Sequence, residues 1–117
     1  MNREILFRGK RVDNGEWIYG DLIHYENGEV AIIQKKFSKF GYEATEIHYR
    51  VKVTPETVGQ YTGLTDKNGT KIFEGDIMCN WWCVVEFCCG SFCINGDSPL
   101  SLWTSEEIIG NIHEQGV

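Results

Sequence analysis

Five cysteines lie between positions 79 and 93 and form the group of residues most able to bind a metal ion: Cys79, Cys83, Cys88, Cys89 and Cys93. Their spacing contains no C-x2-C pair of the kind found in zinc ribbons and knuckles. If the segment is a strand, Cys79 and Cys83 lie about 13 Å apart at about 3.3 Å per residue. That distance is too long for two ligands of one tetrahedral zinc ion. We therefore predict reduced thiols and no metal.

Paired carboxylates are a second chemical possibility. Glu74 and Asp76 are two residues apart, which places them about 6 to 7 Å apart on one face of a strand. Two working carboxylates use a separation of this size. The intervening Gly75 favours a break or bulge in the strand, so turn capping is the simpler role.

Two further patterns are incomplete. Asp66, Asn68 and Thr70 are spaced like the first ligands of a calcium loop, but Lys71 and Ile77 stand where glycine and a bidentate glutamate are required. The three histidines lack a neighbouring nucleophile or a metal-binding spacing; they are His24, His48 and His113. The sequence thus predicts no catalytic, cofactor-binding or metal-binding residue, and a protein that is not an enzyme.

One segment combines cations with aromatic rings, as surfaces that bind single-stranded nucleic acid do. It is predicted to be a loop, and its candidate contact residues are Lys35, Lys36, Phe37, Lys39, Phe40 and Tyr42. Residues 1–53 carry nine Lys or Arg against eight Asp or Glu, whereas residues 54–117 carry two against nine. Any polyanion would therefore bind the N-terminal half.

Tryptophans are the second group of candidate contact residues. Trp81 and Trp82 are adjacent, so on a strand they point to opposite faces and both need a cover. Trp17 lies in a stretch that is apolar on both faces. We predict a homo-oligomer whose interface includes at least one of these three residues.

The elements that position these residues are predicted to be strands joined by tight turns. Four Asn-Gly dipeptides, at positions 14, 27, 68 and 95, are each typical of a type I′ hairpin turn. Phe37 to Ala44 has no clear pattern and is predicted to be a loop. The predicted strands are Ile5 to Val12, Glu16 to His24, Glu29 to Lys35, Thr45 to Val53, Val58 to Thr62, Ile72 to Cys79, Trp82 to Cys88, Ser91 to Ile94 and Ile108 to His113.

The predicted fold class is mainly β, with antiparallel small-barrel elements built from short hairpins and at most single helical turns. Gly75, Asp76 and Ile77 are similar to the start of a strand in SH3-like barrels, and single turns are predicted at Thr54 to Thr57 and from Thr104. We expect one domain over residues 1–117, with hairpins at about 4–53 and a barrel-like part at about 54–115. The charged N-terminus and the absence of a run of about 18 apolar residues predict a cytoplasmic protein without a membrane anchor.

Six motifs, in the order in which they occur along the chain, closely resemble those of the YopX family of small phage and prophage proteins. The resemblance runs from Arg3 to about Glu114 and implies a protein of the host cytoplasm from a family with no established activity, catalytic residues or cofactor, whose members self-associate. The motifs are FRGKR from Phe7, GEWIYGDL from Gly15, PETVGQYTGL from Pro55, DKNG from Asp66, IFEGDI from Ile72 and IGNIHE from Ile109.

Three functions follow as hypotheses. The first is a non-enzymatic interaction module that self-associates and contacts a host or phage protein. The alternative is a nucleic-acid-binding accessory factor that uses the segment Lys35 to Tyr42. A small enzyme is the third, and it requires a pocket with converging polar groups.

Overall fold

The structure of the 117-residue chain is a computed structural model that describes residues 4–40, 43–78, 83–96 and 98–114. It confirms the mainly β prediction, because eleven strands account for most of the described residues. The strands are β1 (Phe7–Lys10), β2 (Trp17–His24), β3 (Val30–Phe40), β4 (Glu43–Val53), β5 (Gly59–Thr65), β6 (Lys71–Phe73), β7 (Asp76–Met78), β8 (Cys83–Cys88), β9 (Ser91–Ile94), β10 (Ser98–Pro99) and β11 (Ile108–Asn111).

Helical structure among the described residues is limited to two short 3-10 turns. Pro55–Thr57 forms the first, as Pro55 at the first helical position predicts. The second is Leu100–Trp103. A turn also follows from Thr104, as predicted, in which Glu106 N donates to Trp103 O at 3.0 Å, but it is not helical. Within the described part of the chain, no helix has the length and hydropathy to cross a membrane.

Two compact units make up the chain. The N-terminal unit is Leu6–Val58, and the C-terminal unit combines Gly59–Val117 with Met1–Ile5. Each unit has its own buried apolar cluster.

Strands β1 to β4 form the antiparallel sheet of the N-terminal unit, in the order β4-β3-β2-β1. One face of this sheet, here the inner face, carries the core of the unit. Its buried members are Ile18, Val30, Ile32 and Val53. Because side chains alternate along a strand, the neighbouring residues lie on the opposite, outer face.

Strands β1 and β4, which are not neighbours in this order, approach each other at a single point. Arg11 and Val53 form an isolated bridge, where Val12 N donates to Lys52 O at 3.1 Å and Thr54 N donates to Lys10 O at 2.9 Å. Beyond this bridge the described parts of β1 and β4 form no ladder. The sheet is therefore curved but not closed, and the SH3-like barrel prediction is not confirmed.

Gly20 allows β2 to pass unusually close to β3. A Cβ atom at this position would lie 2.1 Å from the carbonyl oxygen of Ile33 and 3.0 Å from Ile32 Cγ2. Real Cβ atoms do not approach a backbone oxygen to that distance, so any side chain at position 20 would force the strands apart.

The Asn-Gly turns mostly differ from the type predicted. At Asn27-Gly28, Gly28 N donates to Tyr25 O at 3.0 Å and only the glycine has positive φ. This is a type I turn closed by a left-handed glycine. Asn27 Oδ1 also accepts from Glu29 N at 2.9 Å, which favours this arrangement. Asn95-Gly96 does have positive φ at both residues.

The C-terminal unit contains the β5–β6 pair and a five-stranded antiparallel sheet in the order β10-β9-β8-β7-β11. Its core combines residues of both, because they share one apolar cluster. The buried members are Ile72, Met78, Cys83, Val85, Ile94 and Leu100.

Cys88 and Cys93 form a disulfide across β8 and β9, so the prediction of reduced thiols was wrong for these two residues. The strands are joined by a two-residue turn, Cys89-Gly90, in which both residues have positive φ. This turn pairs Glu86 with Cys93, and Cys88 therefore lies diagonally opposite Cys93 on the same face, with Cα atoms 6.7 Å apart. That distance is within the range that a disulfide spans.

Candidate functional site

The most distinctive surface feature is a two-stranded ribbon made by β3 and β4. The strands pair over their full length, from Val30 with Val53 to Phe40 with Glu43. Strand β2 pairs with four of the eleven residues of β3, Val30 to Ile33, which leaves seven without a third strand among the described residues. The predicted loop at Phe37 to Ala44 was therefore wrong, since β3 continues to Phe40 and β4 begins at Glu43.

The ribbon carries the described members of the basic and aromatic segment. Phe37 is 75 % exposed on the outer face. Lys36, on the inner face, holds its Nζ 5.5 Å from the centre of the Tyr49 ring. Lys35 Nζ lies 3.9 Å from Asp21 Oδ2. Lys39 and Phe40 belong to β3, whereas Tyr42 lies outside the described residues.

A shallow cleft of about 330 Å³ opens where β2 and β3 separate. The ring of Tyr19, which is 46 % exposed, lies at this cleft beside Lys35. Arg50 is exposed on the outer face of β4. Sequence reasoning missed Tyr19 and Arg50 because only the strand register places them on the face that carries Phe37.

Trp17, the described member of the predicted tryptophan interface, is half-buried on β2. The Arg8 guanidinium carbon lies 4.6 Å from the centre of its ring, and Lys10 Nζ lies 5.5 Å from it. The ring therefore makes cation–π contacts inside its own unit. Trp81 and Trp82 lie outside the described residues.

The outer edge of β4 faces no pairing strand along most of its length within the described part of the chain. Lys52 O and Thr54 N bond to β1, so the backbone groups of even-numbered residues point away from β3 in this antiparallel strand. The same alternation directs the N–H and C=O of Glu46, His48 and Arg50 outward, where the described residues provide no pairing strand.

Charges along this edge divide into two sets. Lys52 is engaged at the closed end, where its Nζ lies 2.8 Å from Glu29 Oε2. The hydrogen bond between them lowers the pKa of Glu29 and raises the pKa of Lys52. Further along, His48 Nε2 lies 3.1 Å from Glu46 Oε2, both side chains being about half exposed.

Glu74 and Asp76 do not form a pair of working carboxylates on one strand. Glu74 and Gly75 make the turn between β6 and β7, and Gly75 has a φ of 89°. Glu74 Oε1 accepts from Gln60 N at 2.9 Å, and the buried Asp76 accepts from Phe73 N at 2.8 Å. These contacts fit the predicted turn capping.

Asp66 is a buried carboxylate that joins a turn to a distant strand. Oδ1 accepts from Asn68 N at 2.8 Å and from Thr70 N at 2.9 Å, and Oδ2 accepts from Ile108 N at 3.1 Å. Burial alone raises the pKa of Asp66, but the three backbone donors together outweigh burial, so the pKa lies below its ordinary value. Asp66 therefore links the turn at residues 67–69 to β11.

The turn that Asp66 supports differs from the predicted two-residue form. Gly69 N donates to Asp66 O at 3.0 Å and Asp66 N donates to Thr70 O at 2.9 Å. Only Gly69 has positive φ, at 81°, so three residues, Lys67 to Gly69, form the loop. The hairpin prediction is confirmed, but the type I′ assignment was wrong.

Metal ligands are not grouped in the part of the chain that the structure describes. No three His, Cys, Asp or Glu side chains there lie close enough to hold an ion. Cys83 is buried in the core and Cys89 is exposed on its turn. Among the described residues, the ribbon and its open β4 edge are the candidate functional site, because they present exposed side chains and outward backbone groups to a partner.

Comparison with known proteins places this site in a family context. No curated protein matches the chain. The family model of the YopX protein matches residues 6–116, a range that includes the ribbon, the Asp66 turn and every strand of both units. The chain therefore belongs to the YopX family.

Proposed function

We propose that this protein is a non-enzymatic phage or prophage protein that acts in the host cytoplasm as an interaction module and self-associates. The main observation in support is the β3–β4 ribbon. Among the described residues, no third strand pairs with β3 along seven of its eleven residue pairs with β4. A two-stranded ribbon by itself is marginally stable in water. A partner that adds a strand or a packed face would stabilise it.

Self-association also fits the edge of β4. Outward N–H and C=O groups along an exposed strand are a template for another strand, and many proteins bind partners by this kind of strand addition. A partner protein from the host or phage would use the same template. The interface of the homo-oligomer stays predicted to include at least one of Trp17, Trp81 and Trp82.

Light scattering over a range of protein concentrations tests the proposal. We expect the wild-type chain to form an oligomer, and a monomeric mass at every concentration would refute self-association. His48→Pro removes an outward donor while leaving the β3 ladder intact, because proline is tolerated at a sheet edge. His48→Ala keeps the donor and is the matched control. The proline variant should form smaller species than the alanine variant, with unchanged circular dichroism.

A specific observation also favours a second function, binding of single-stranded nucleic acid. Tyr19 and Phe37 expose rings on the outer face that carries Lys35 and Arg50. Stacked bases contribute about 1 to 3 kcal/mol each, and phosphate contacts add affinity that falls with salt.

Fluorescence anisotropy with a labelled single strand separates this second function from self-association. Phe37→Ala should weaken binding by about fivefold or more, whereas Leu102→Ala should not. Leu102 is the matched control because its side chain is 72 % exposed in the other unit, against 75 % for Phe37. Absence of salt-dependent binding at low ionic strength would refute nucleic-acid binding.

A further inference from the structure

The order of charged side chains along the open edge of β4 makes this edge complementary to an antiparallel copy of itself. On the outer face the order is Glu46, His48, Arg50, so that a negative residue and a positive residue flank the histidine. Two copies of this order running antiparallel place each negative residue opposite a positive one. Running parallel, they place like charges together, which is destabilising.

We infer that two copies pair through their β4 edges, antiparallel and in register about His48, so that Glu46 lies opposite the partner's Arg50. This rests on the proposed self-association and specifies its surface and register. Two N-terminal units then share one continuous sheet, with the two-fold axis at His48. Backbone hydrogen bonds form through the outward groups of even-numbered residues.

The inner-face residues of the edge agree with the same register. Ile47, which is half-buried, lies opposite the partner's Tyr49, and Tyr49, which is 45 % exposed, lies opposite the partner's Ile47. Pairs of an aromatic and a β-branched side chain stabilise neighbouring strands. They occupy the non-hydrogen-bonded positions, where facing side chains are closest.

Neighbouring registers are less favourable. Only the even-numbered residues of β4 direct their N–H and C=O groups toward the partner. Even-numbered residues must therefore pair with even-numbered residues, and the alternative registers differ by two residues. A shift of two residues toward the bridge between Arg11 and Val53 places the partner's Glu46 opposite Lys52. Lys52 is already engaged, because its carbonyl oxygen accepts from Val12 N and its Nζ pairs with Glu29. A shift the other way places Glu46 opposite the partner's His48 and removes both opposite-charge pairs.

Charge reversal at two positions tests the register. Glu46→Arg and Arg50→Glu each turn two attractive pairs into two repulsive ones, and each should weaken the dimer by about tenfold or more. The double variant restores opposite charges between the copies and should return to within about threefold of wild type. It does not restore the contact between Glu46 and His48 within one chain, so rescue identifies the contact between copies.

Crosslinking gives an independent measurement of the same register. In a background with Cys79→Ser and Cys89→Ser, His48→Cys places two thiols at the two-fold axis, with Cα atoms about 5.5 Å apart, within disulfide range. Arg50→Cys is the control, because its copies lie about 13 Å apart, four residues out of register. Mild oxidation should give covalent dimer only with His48→Cys.

The outcomes separate the two proposals. A wild-type chain that is monomeric at all concentrations refutes self-association and the register with it. An oligomeric wild type whose single reversal variants keep wild-type affinity refutes the register and leaves self-association standing. Weakening by each single variant without rescue in the double variant also refutes this register.

Discussion

Replacing Asp66 by alanine removes the carboxylate that holds the 67–69 turn and strand β11 together. Asp66 is 6 % exposed and accepts hydrogen bonds from three backbone N–H groups. Two of these donors, on Asn68 and Thr70, belong to exposed residues that water reaches after the change. The third, on half-buried Ile108, is harder to hydrate.

The size of the effect follows from these contacts. A hydrogen bond to a charged acceptor contributes about 1.5 to 3 kcal/mol, and water replaces part of two of the three. We therefore expect Asp66→Ala to lower the free energy of unfolding by about 3 kcal/mol, with a fall in melting temperature of about 10 °C. Asp66→Asn keeps one acceptor oxygen but brings an amide N–H to the donors, so its cost should be about 2 kcal/mol.

Urea unfolding followed by circular dichroism and tryptophan fluorescence measures the free energy of unfolding of both variants, and thermal unfolding measures their melting temperatures. Asp13→Ala is the control, because Asp13 is an exposed aspartate with its own ion pair to Arg11, and its melting temperature should stay at the wild-type value. A melting temperature of Asp66→Ala equal to that of Asp13→Ala would refute the reasoning.

The pH dependence of the effect has a definite sign. The pKa of Asp66 is lowered in the folded protein, whereas the unfolded value is about 3.9. The carboxylate therefore contributes its full stability above about pH 5 and loses it as the pH falls through the lower, folded pKa. The difference in stability between wild type and Asp66→Asn should be constant near neutral pH and shrink below about pH 4.

Three further predictions concern other positions. Gly20→Ala should destabilise the protein by about 2 kcal/mol or more in urea unfolding, because its Cβ would lie 2.1 Å from Ile33 O; a cost equal to that of Glu26→Ala at an exposed turn would contradict this. Gly69→Val should cost about 1 kcal/mol or more because φ is 81°, and Gly69→Asn should cost less; equal melting temperatures would be the contrary result. Elemental analysis of protein purified without chelator should find no stoichiometric zinc, against one equivalent per chain if the cysteines bind it.

Hairpin positions were predictable from the sequence, but turn types were not. Asn27-Gly28 and Asn68-Gly69 both lie at turns, because glycine supplies the positive φ that each turn needs. The type depends on hydrogen bonds that the side-chain oxygens of Asn27 and Asp66 accept from nearby backbone N–H groups, and these bonds favour a three-residue loop. Propensity of the dipeptide alone does not include them.

The ribbon was missed for a different reason. Its outer part, from Lys35 to Phe40, lacks the alternation of apolar and polar residues that identifies a strand. Among the described residues, β2 pairs with β3 only from Val30 to Ile33. The conformation of the outer part continues from the register set by Val30, Ile32 and Val53 in the core. The mixture of cations and aromatic rings was visible in the sequence, but the face it shares with Tyr19 required the strand pairing.

Because backbone groups alternate in direction along β4, the amide exchange rates of this strand would report whether a partner strand is bound. In the unbound chain, we expect the amides of odd-numbered residues such as Ile47 and Tyr49 to be protected by β3, and those of Glu46, His48 and Arg50 to exchange faster with solvent. Protection on β3 and β4 should fall from the buried end at Val30 and Val53 toward the tip. A strand added at the edge would slow the even-numbered amides alone, so hydrogen exchange would distinguish strand addition from contact through side chains.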